Sequence, residues 1–176
     1  MWRFAYVIVV SSGVRRHIFG VDSFDAKLLA LVQRDNRQTN ERLGEQVGLS
    51  PTAVRRRLRR LREDGVIVGD VSLVDPAALG ITVIIRVRLE KESHATYEAF
   101  KTRMIAAEEV SQVYTVSGPE DFVVIAHLPD LPAYDRWIAE NLLSDDSLAR
   151  SDTNIVYNRV KYDTRVTPGP GAPPGG

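Results

Sequence analysis

Cysteine is absent from all 176 residues, histidine occurs three times, and methionine and tryptophan twice each. The first absence excludes disulfide frameworks, thiolate zinc sites and cysteine nucleophiles together, and with no mark of secretion a reducing cytoplasm is the expected setting. Long apolar runs are missing too. The run near the start, "FAYVIVV", has seven residues, against the roughly 20 that span a bilayer, and "SSGVRRH" after it lacks a small-residue cleavage pattern. No membrane anchor and no signal peptide are expected. His17, His94 and His127 stand in separate segments, without an HExxH pair, a GxSxG elbow or a phosphate-binding glycine loop. Neither an enzyme nor a metal or other cofactor is expected. Net charge is also lacking, with 23 Lys and Arg against 23 Asp and Glu.

What is present is apolar content of 44% with 26% charged residues, enough for one or two small domains with real cores. The neutral total conceals an asymmetry. Between Arg34 and Arg62 there are nine arginines (34, 37, 42, 55, 56, 57, 59, 60, 62) against Asp35, Glu41 and Glu45, about +6 for that segment. The remainder is acidic by the same amount, as when one part of a chain meets a polyanion and another does not.

Apolar residues at Phe24, Leu28, Leu29, Leu31 and Val32 keep helical spacing after Asp22 or Ser23 as cap. Thr39 opens a second short helix carrying Leu43 and Val47 and ending at Gly48. Ser50 as N-cap, Pro51 at the first helical position and Gly65 as terminator define a third helix. A tight turn joins the last two, which is helix-turn-helix anatomy. At about 100° per residue, Val54, Leu58 and Leu61 form the buried stripe of the third helix. Thr52, Arg55, Arg56 and Arg59 project from the opposite side, Arg60 and Arg62 from the edges, and Arg57 beside the stripe. A disordered basic tail would not interleave core residues in this way. A merely solvated face is the other alternative, but only Glu63 and Asp64 follow as partners and like charges three or four apart repel. A major groove admits one helix, and arginine forks onto guanine while phosphates reward the rest. The DNA-contacting candidates are Thr39, Ser50, Thr52, Ala53, Arg55, Arg56, Arg57, Arg59 and Arg60.

A short apolar strand after Gly65, Asp75-Pro76 and Gly80 then read as a linker. Ile81, Val83, Ile85, Val87 and Leu89 alternate with Thr82, Ile84, Arg86 and Arg88, a half-buried strand. Residues 93–107 read as a helix with Tyr97, Phe100, Met104 and Ile105 on one face. "VSQVYTVS" and "DFVVIAHL" are strands, "LPAYDRWIAENLL" a helix, "SDDS" at 144–147 a helix-ending loop and "TNIVYNRV" a last strand. The order βαββαβ predicts an antiparallel sheet with both helices on one face, a ferredoxin-like α+β fold. Its other face must then find a partner or meet water, with Ile84, Val113, Val123 and Ile125 as candidates.

"FDAKLLALVQRDNR", "LGEQVGLSPTAVRRRLRRLREDGVI" and a βαββαβ segment containing "VSGPEDF" resemble the Lrp/AsnC (feast/famine) family of transcription regulators over about Phe24 to Tyr162. The arginine-for-lysine composition points within it to the actinobacterial alanine-dehydrogenase regulators (AldR type). The resemblance implies a winged helix-turn-helix domain and a ferredoxin-like (RAM-type) domain that pairs into dimers and often octamers, with free amino acids bound between dimers. It gives the turn "YTVSGPEDF" an effector role, assigning Tyr114, Ser117, Gly118, Glu120, Asp121 and Phe122, with Thr153 and Asn154 from the last strand. Backbone N–H groups of a glycine turn can receive a carboxylate and Asp121 an α-ammonium; the alternative is that Gly118-Pro119 makes a tight turn which Asp121 caps.

The expected organisation is an extension over 1–20, DNA-binding domain 21–66, linker 67–80, effector and oligomerisation domain 81–163 and a disordered Pro/Gly tail 164–176. The extension is either real or a start placed too early, with Val14 or Val21 as alternatives. The expected partners are double-stranded DNA, a free amino acid and further copies of the chain. The competing function is an architectural DNA-coating protein without ligand response.

Overall fold

The computed structural model describes residues 21–91 and 93–167. The 1–20 extension, and the tail from residue 168 onward, lie outside the described residues. The described residues divide into two compact units: residues 73–160 belong to one, and residues 21–72 together with 161–167 belong to the other.

In the second unit, helices α1 (Ser23–Val32), α2 (Asn40–Val47) and α3 (Pro51–Glu63) surround a core of Leu28, Leu29, Leu43, Val47, Val54, Leu58 and Leu61. Each start is capped by its own sequence. Asp22, rather than Ser23, caps α1 in a reciprocal box with Asp25: the Asp25 N–H donates to Asp22 at 2.9 Å and the Asp22 N–H donates back at 3.1 Å. Thr39 accepts from the Arg42 N–H and Ser50 from the Ala53 N–H. Gly48 ends α2 at φ 77°, left-handed backbone that costs glycine nothing. Gly44 answers a different need, because a Cβ there would stand 2.4 Å from the Leu49 carbonyl oxygen in the turn. At the end of α1 the Gln33 carboxamide donates to the Val166 carbonyl at 3.0 Å and accepts from the Val166 N–H at 2.6 Å. The segment returning after residue 160 is thus held as a neighbouring strand would be.

The first unit is a four-stranded antiparallel sheet in the order β2-β3-β1-β4, built from β1 (Ile81–Leu89), β2 (Val110–Thr115), β3 (Phe122–Leu128) and β4 (Leu148–Val156). Helices α4 (His94–Ala106) and α5 (Leu131–Ile138) supply Phe100, Met104 and Trp137 to its core against Val83, Ile85, Val87, Leu89, Phe122, Val124, Ala126 and Leu128. This is the βαββαβ order expected. From Val83 onward, buried residues of β1 alternate with half-buried or exposed ones, which is the reason the sheet has one core face.

Several expectations are corrected. No strand forms between α3 and β1 among the described residues: the Val66 and Ile67 N–H groups both donate to the Leu61 carbonyl, and Val68, Val71 and Leu73 beyond them are exposed. The wing and the linker strand are therefore not seen there. The last strand begins five residues earlier than expected, because Asp145 receives the Ser147 N–H and hydroxyl and turns the chain so that Leu148 pairs with Leu89. The second helix of this unit loosens at Ala139–Leu143 into one wider π turn that buries Leu142 and exposes Leu143. Ile105 is exposed, and Val113 lies opposite Val124 against the core, not on the open face.

Gly44→Ala is expected to destabilise the helical unit by on the order of 1–3 kcal/mol, since backbone and not a flexible side chain meets the added methyl. Hydrogen exchange should show faster opening of α2 and α3 with unchanged protection in β1 and β3; unchanged α2 exchange would contradict the close approach.

Candidate DNA interface and effector face

On α3, Thr52, Arg55, Arg56 and Arg59 are exposed on one arc of the helix and Ala53 is half-buried beside it. The six arginines are not equivalent. Arg57 donates through Nη1 to Asp22 at 2.6 Å and to Asp25 at 2.9 Å, with its guanidinium 5.5 Å from the centre of the Phe24 ring. Arg60 also donates to Asp25. Arg62 reaches Asp70 at 3.0 Å, and Arg59 reaches Glu63 at 3.4 Å with both side chains largely in water, a contact worth little. Among the described residues only Arg55 and Arg56 of the six form no ion pair. The expectation that internal partners are few is corrected accordingly: Asp22 and Asp25 supply them from α1. Asp25 was legible in principle, since it shares the spacing of Leu28, Leu29 and Val32 and so stands on the buried stripe. Thr39 and Ser50 are occupied as caps.

Hydrogen bonds from Arg57 to Asp22 and Asp25 raise the guanidinium pKa above its ordinary value. Burial pushes the Asp22 carboxyl up, but the Asp25 N–H and Arg57 together bring it below its ordinary value.

On the sheet, the open face is set by register. Ile84 lies opposite Ile125, Arg86 opposite Val123 on one side and Asp152 on the other, and Arg88 opposite Arg150. Tyr114 lies opposite Val123 and Asn154 opposite Ile84, so both stand on this face. The turn after β2 carries exposed Ser117 and Gly118, the latter at φ 145°, and half-buried Glu120.

Three effector candidates are placed differently from the expectation. Phe122 is fully buried, its ring 4.6 Å from that of Phe100 and 5.1 Å from that of Tyr97. Thr153 pairs in register with Ile85 on the core side, and its hydroxyl is buried without a partner. Successive strand residues face opposite ways, so Thr153 and Asn154 do not line one surface. Asp121 spends both oxygens internally, one on the Leu89 N–H at 2.8 Å and the other on the Tyr97 hydroxyl, while its own N–H donates to the Val87 carbonyl. It fastens the turn to β1 and α4. Tyr97 as the partner of Asp121 was not foreseen; no pattern links residues 24 apart on different elements.

His127 lies at the far end of the open face, within 3.0 Å of the Thr82 hydroxyl, and burial and Arg159 lower its pKa. Among the described residues no group of three or more His, Cys, Asp or Glu could hold a metal ion, and no helix is long and apolar enough to cross a membrane.

A model of the AsnC-type helix-turn-helix domain matches residues 21–62, and one of the Lrp/AsnC ligand binding domain matches residues 82–166. An uncharacterized HTH-type transcriptional regulator of Sinorhizobium fredii is 40% identical over 143 residues, 80% of this chain and 85% of that protein. The chain belongs to the Lrp/AsnC family. The leucine-responsive regulatory protein of Serratia marcescens is 31% identical over 156 residues, 88% of this chain and 95% of its own length. The crystal structure of a transcriptional regulator of Neisseria meningitidis in complex with L-Met superposes with a TM-score of 0.77 at 28% identity, covering 84% of this chain and 96% of that one. These Lrp/AsnC relatives are transcriptional regulators, not enzymes. The two matched domains of this Lrp/AsnC protein are those that carry the arginine helix and the open sheet face.

Tyr97→Phe removes a hydroxyl donor from a carboxylate and should cost about 1.5–3 kcal/mol of sheet-unit stability, read by urea unfolding; an unchanged midpoint would mean that the clasp does not hold the turn. Because the folded pKa of Asp22 is depressed, its stabilising contribution is present above the unfolded carboxylate value and is lost as pH falls through the folded one. Melting of the helical unit should therefore drop below about pH 4, and Asp22→Asn, which keeps a capping side chain, should flatten that dependence.

Proposed function

We propose that this Lrp/AsnC protein is a sequence-specific regulator of amino-acid metabolism genes whose DNA binding responds to a free amino acid. The DNA contacts are proposed to come from Arg55 and Arg56, with Thr52, Ala53 and Arg59 beside them, and Arg57 and Arg60 are withdrawn from that set. The observation that carries the reading is the exposure of Arg55 and Arg56 without an acidic partner on a helix whose four other arginines have one. A paired guanidinium gives up internal contacts to meet DNA, whereas an unpaired one gains.

A symmetric dimer suits this function, since two α3 helices about 34 Å apart would meet successive major grooves. Ile84, Val123 and Ile125 on the open sheet face support pairing of copies through that face, and an octamer of four dimers is the proposed assembly. The effector is proposed to lie against Tyr114, Ser117, Gly118, Glu120 and Asn154, with the Gly118 turn offering N–H groups to the carboxylate. The L-Met bound to the Neisseria meningitidis protein supports the ligand class. Membership of the alanine-dehydrogenase branch rests on composition alone.

Fluorescence anisotropy at fixed salt, on DNA from upstream of its own and neighbouring genes, with and without each of the twenty amino acids, tests the reading. Tight binding of specific DNA that one or a few amino acids shift is expected; equal binding of all duplexes with no shift would establish the architectural alternative. Arg55→Ala or Arg56→Ala should weaken specific binding by about 1–3 kcal/mol, and wild-type footprints in both would refute the placement of α3 in the groove.

A further inference from the structure

Asp25 is fully buried on the core side of α1, yet it is an acid. Its carboxylate accepts from Arg57 and Arg60 of α3 and from the Asp22 N–H, so Asp22, Asp25, Arg57 and Arg60 make a locally neutral set. An apolar residue of similar volume would fill such a place at no loss of stability, because burying a carboxylate is offset only when its partners are well formed. What an apolar residue would not do is hold two guanidiniums.

The consequence lies in which arginines remain. Around α3 at about 100° per residue, Arg55, Arg59, Thr52 and Arg56 span roughly 100°, while Arg60 and Arg57 continue toward the core stripe. Without the buried acid, five of the arginines, Arg55 through Arg60, would offer positive charge over more than half of the helix circumference, and many rotations of α3 against phosphate would be comparably favourable. With it, charge is concentrated on one arc and one rotation is preferred.

We propose that Asp25 is a positioning residue of the DNA interface, which withholds Arg57 and Arg60 from phosphate and so determines which face of α3 enters the groove. The proposal rests on the regulator reading above for its biological use, but its physical content is testable on any duplex. Each arginine that meets phosphate releases counterions and adds about 0.9 to the slope of log affinity against log salt. Arg57 and Arg60 should add nothing to that slope despite their charge.

The experiment uses the full chain with a duplex from upstream of its own gene and a random duplex of equal length. Arg55→Gln and Arg56→Gln should each lower the slope by about 0.9, whereas Arg57→Gln and Arg60→Gln should weaken specific binding with the slope retained. Asp25→Asn, checked for helical content by circular dichroism, should raise the slope by less than the roughly 1.8 of two fully released guanidiniums, because Arg57 keeps its bond to Asp22, and should shrink the ratio of specific to random affinity; Asp25→Glu should restore part of that ratio. A slope lowered as much by Arg57→Gln and Arg60→Gln as by Arg55→Gln would overturn the proposal. So would a folded Asp25→Asn protein with wild-type slope and ratio. Should Asp25→Asn not fold, the four arginine variants decide the question alone. A wild-type protein that binds both duplexes equally would refute the regulator reading while the slopes still judge the role of Asp25, and one that binds neither would overturn both.

Discussion

The helical unit is organised by a single electrostatic constraint: a carboxylate with no access to water cannot be left alone, and two arginines of α3 answer it. The Asp25 to Arg57 and Arg60 pairs tie the first helix to the third across 32 and 35 residues of sequence. They act beside an apolar core of seven buried residues, in which Val54, Leu58 and Leu61 set the inward side of α3. The guanidinium forks add directional contacts that apolar packing lacks. The same pairs divide a helix that looks uniformly basic into an inward side that is neutral and an outward side that keeps its charge.

The sheet unit shows a parallel division by other means. Its core face needs no polar device, because period two places Val83, Ile85, Val87 and Leu89 beneath the sheet and Thr82, Ile84, Arg86 and Arg88 above it. At the end of the sheet, where the ladder stops and backbone groups would go unpaired, Asp121 takes over. It accepts the Leu89 N–H and the Tyr97 hydroxyl and donates its own N–H to Val87, so the Gly118 turn is held by β1 and α4 together. A turn held in this way presents its exposed residues, Ser117 and Gly118, in a fixed place beside Tyr114. Among the described residues the chain passes from one unit to the other near residue 72 and again near residue 160. Gln33 receives the second crossing through both polar groups of Val166.

Much of this was legible beforehand where the physics is local. Caps at Thr39 and Ser50, the stop at Gly48, the buried stripe of α3 and the alternation of β1 depend on residues within a turn or a pleat of one another, and each was found where its pattern placed it. The errors fall where a distant group decides. Val113 turned inward because a register irregularity on β2 sets which residues face β3. Phe122 left the effector set because two aromatic rings of α4 receive it, and Asp121 because its partners lie on β1 and α4. The last strand began early because Asp145, read as part of a loop, folds that loop tightly enough to start pairing at Leu148.

The amino-acid sequence by itself determined the two-part organisation, the arginine helix, the βαββαβ order and the buried stripes of α3 and β1, because hydrophobic periodicity and capping act over a few residues and do not depend on the rest of the chain. Only the tertiary structure decided which arginines are taken up by acids and which stay exposed, and which turn residues face outward. Those outcomes depend on Asp25 meeting Arg57 and on Asp121 meeting Tyr97. Charged and polar groups are satisfied by whatever the fold brings near them, and no spacing along the chain states what that will be.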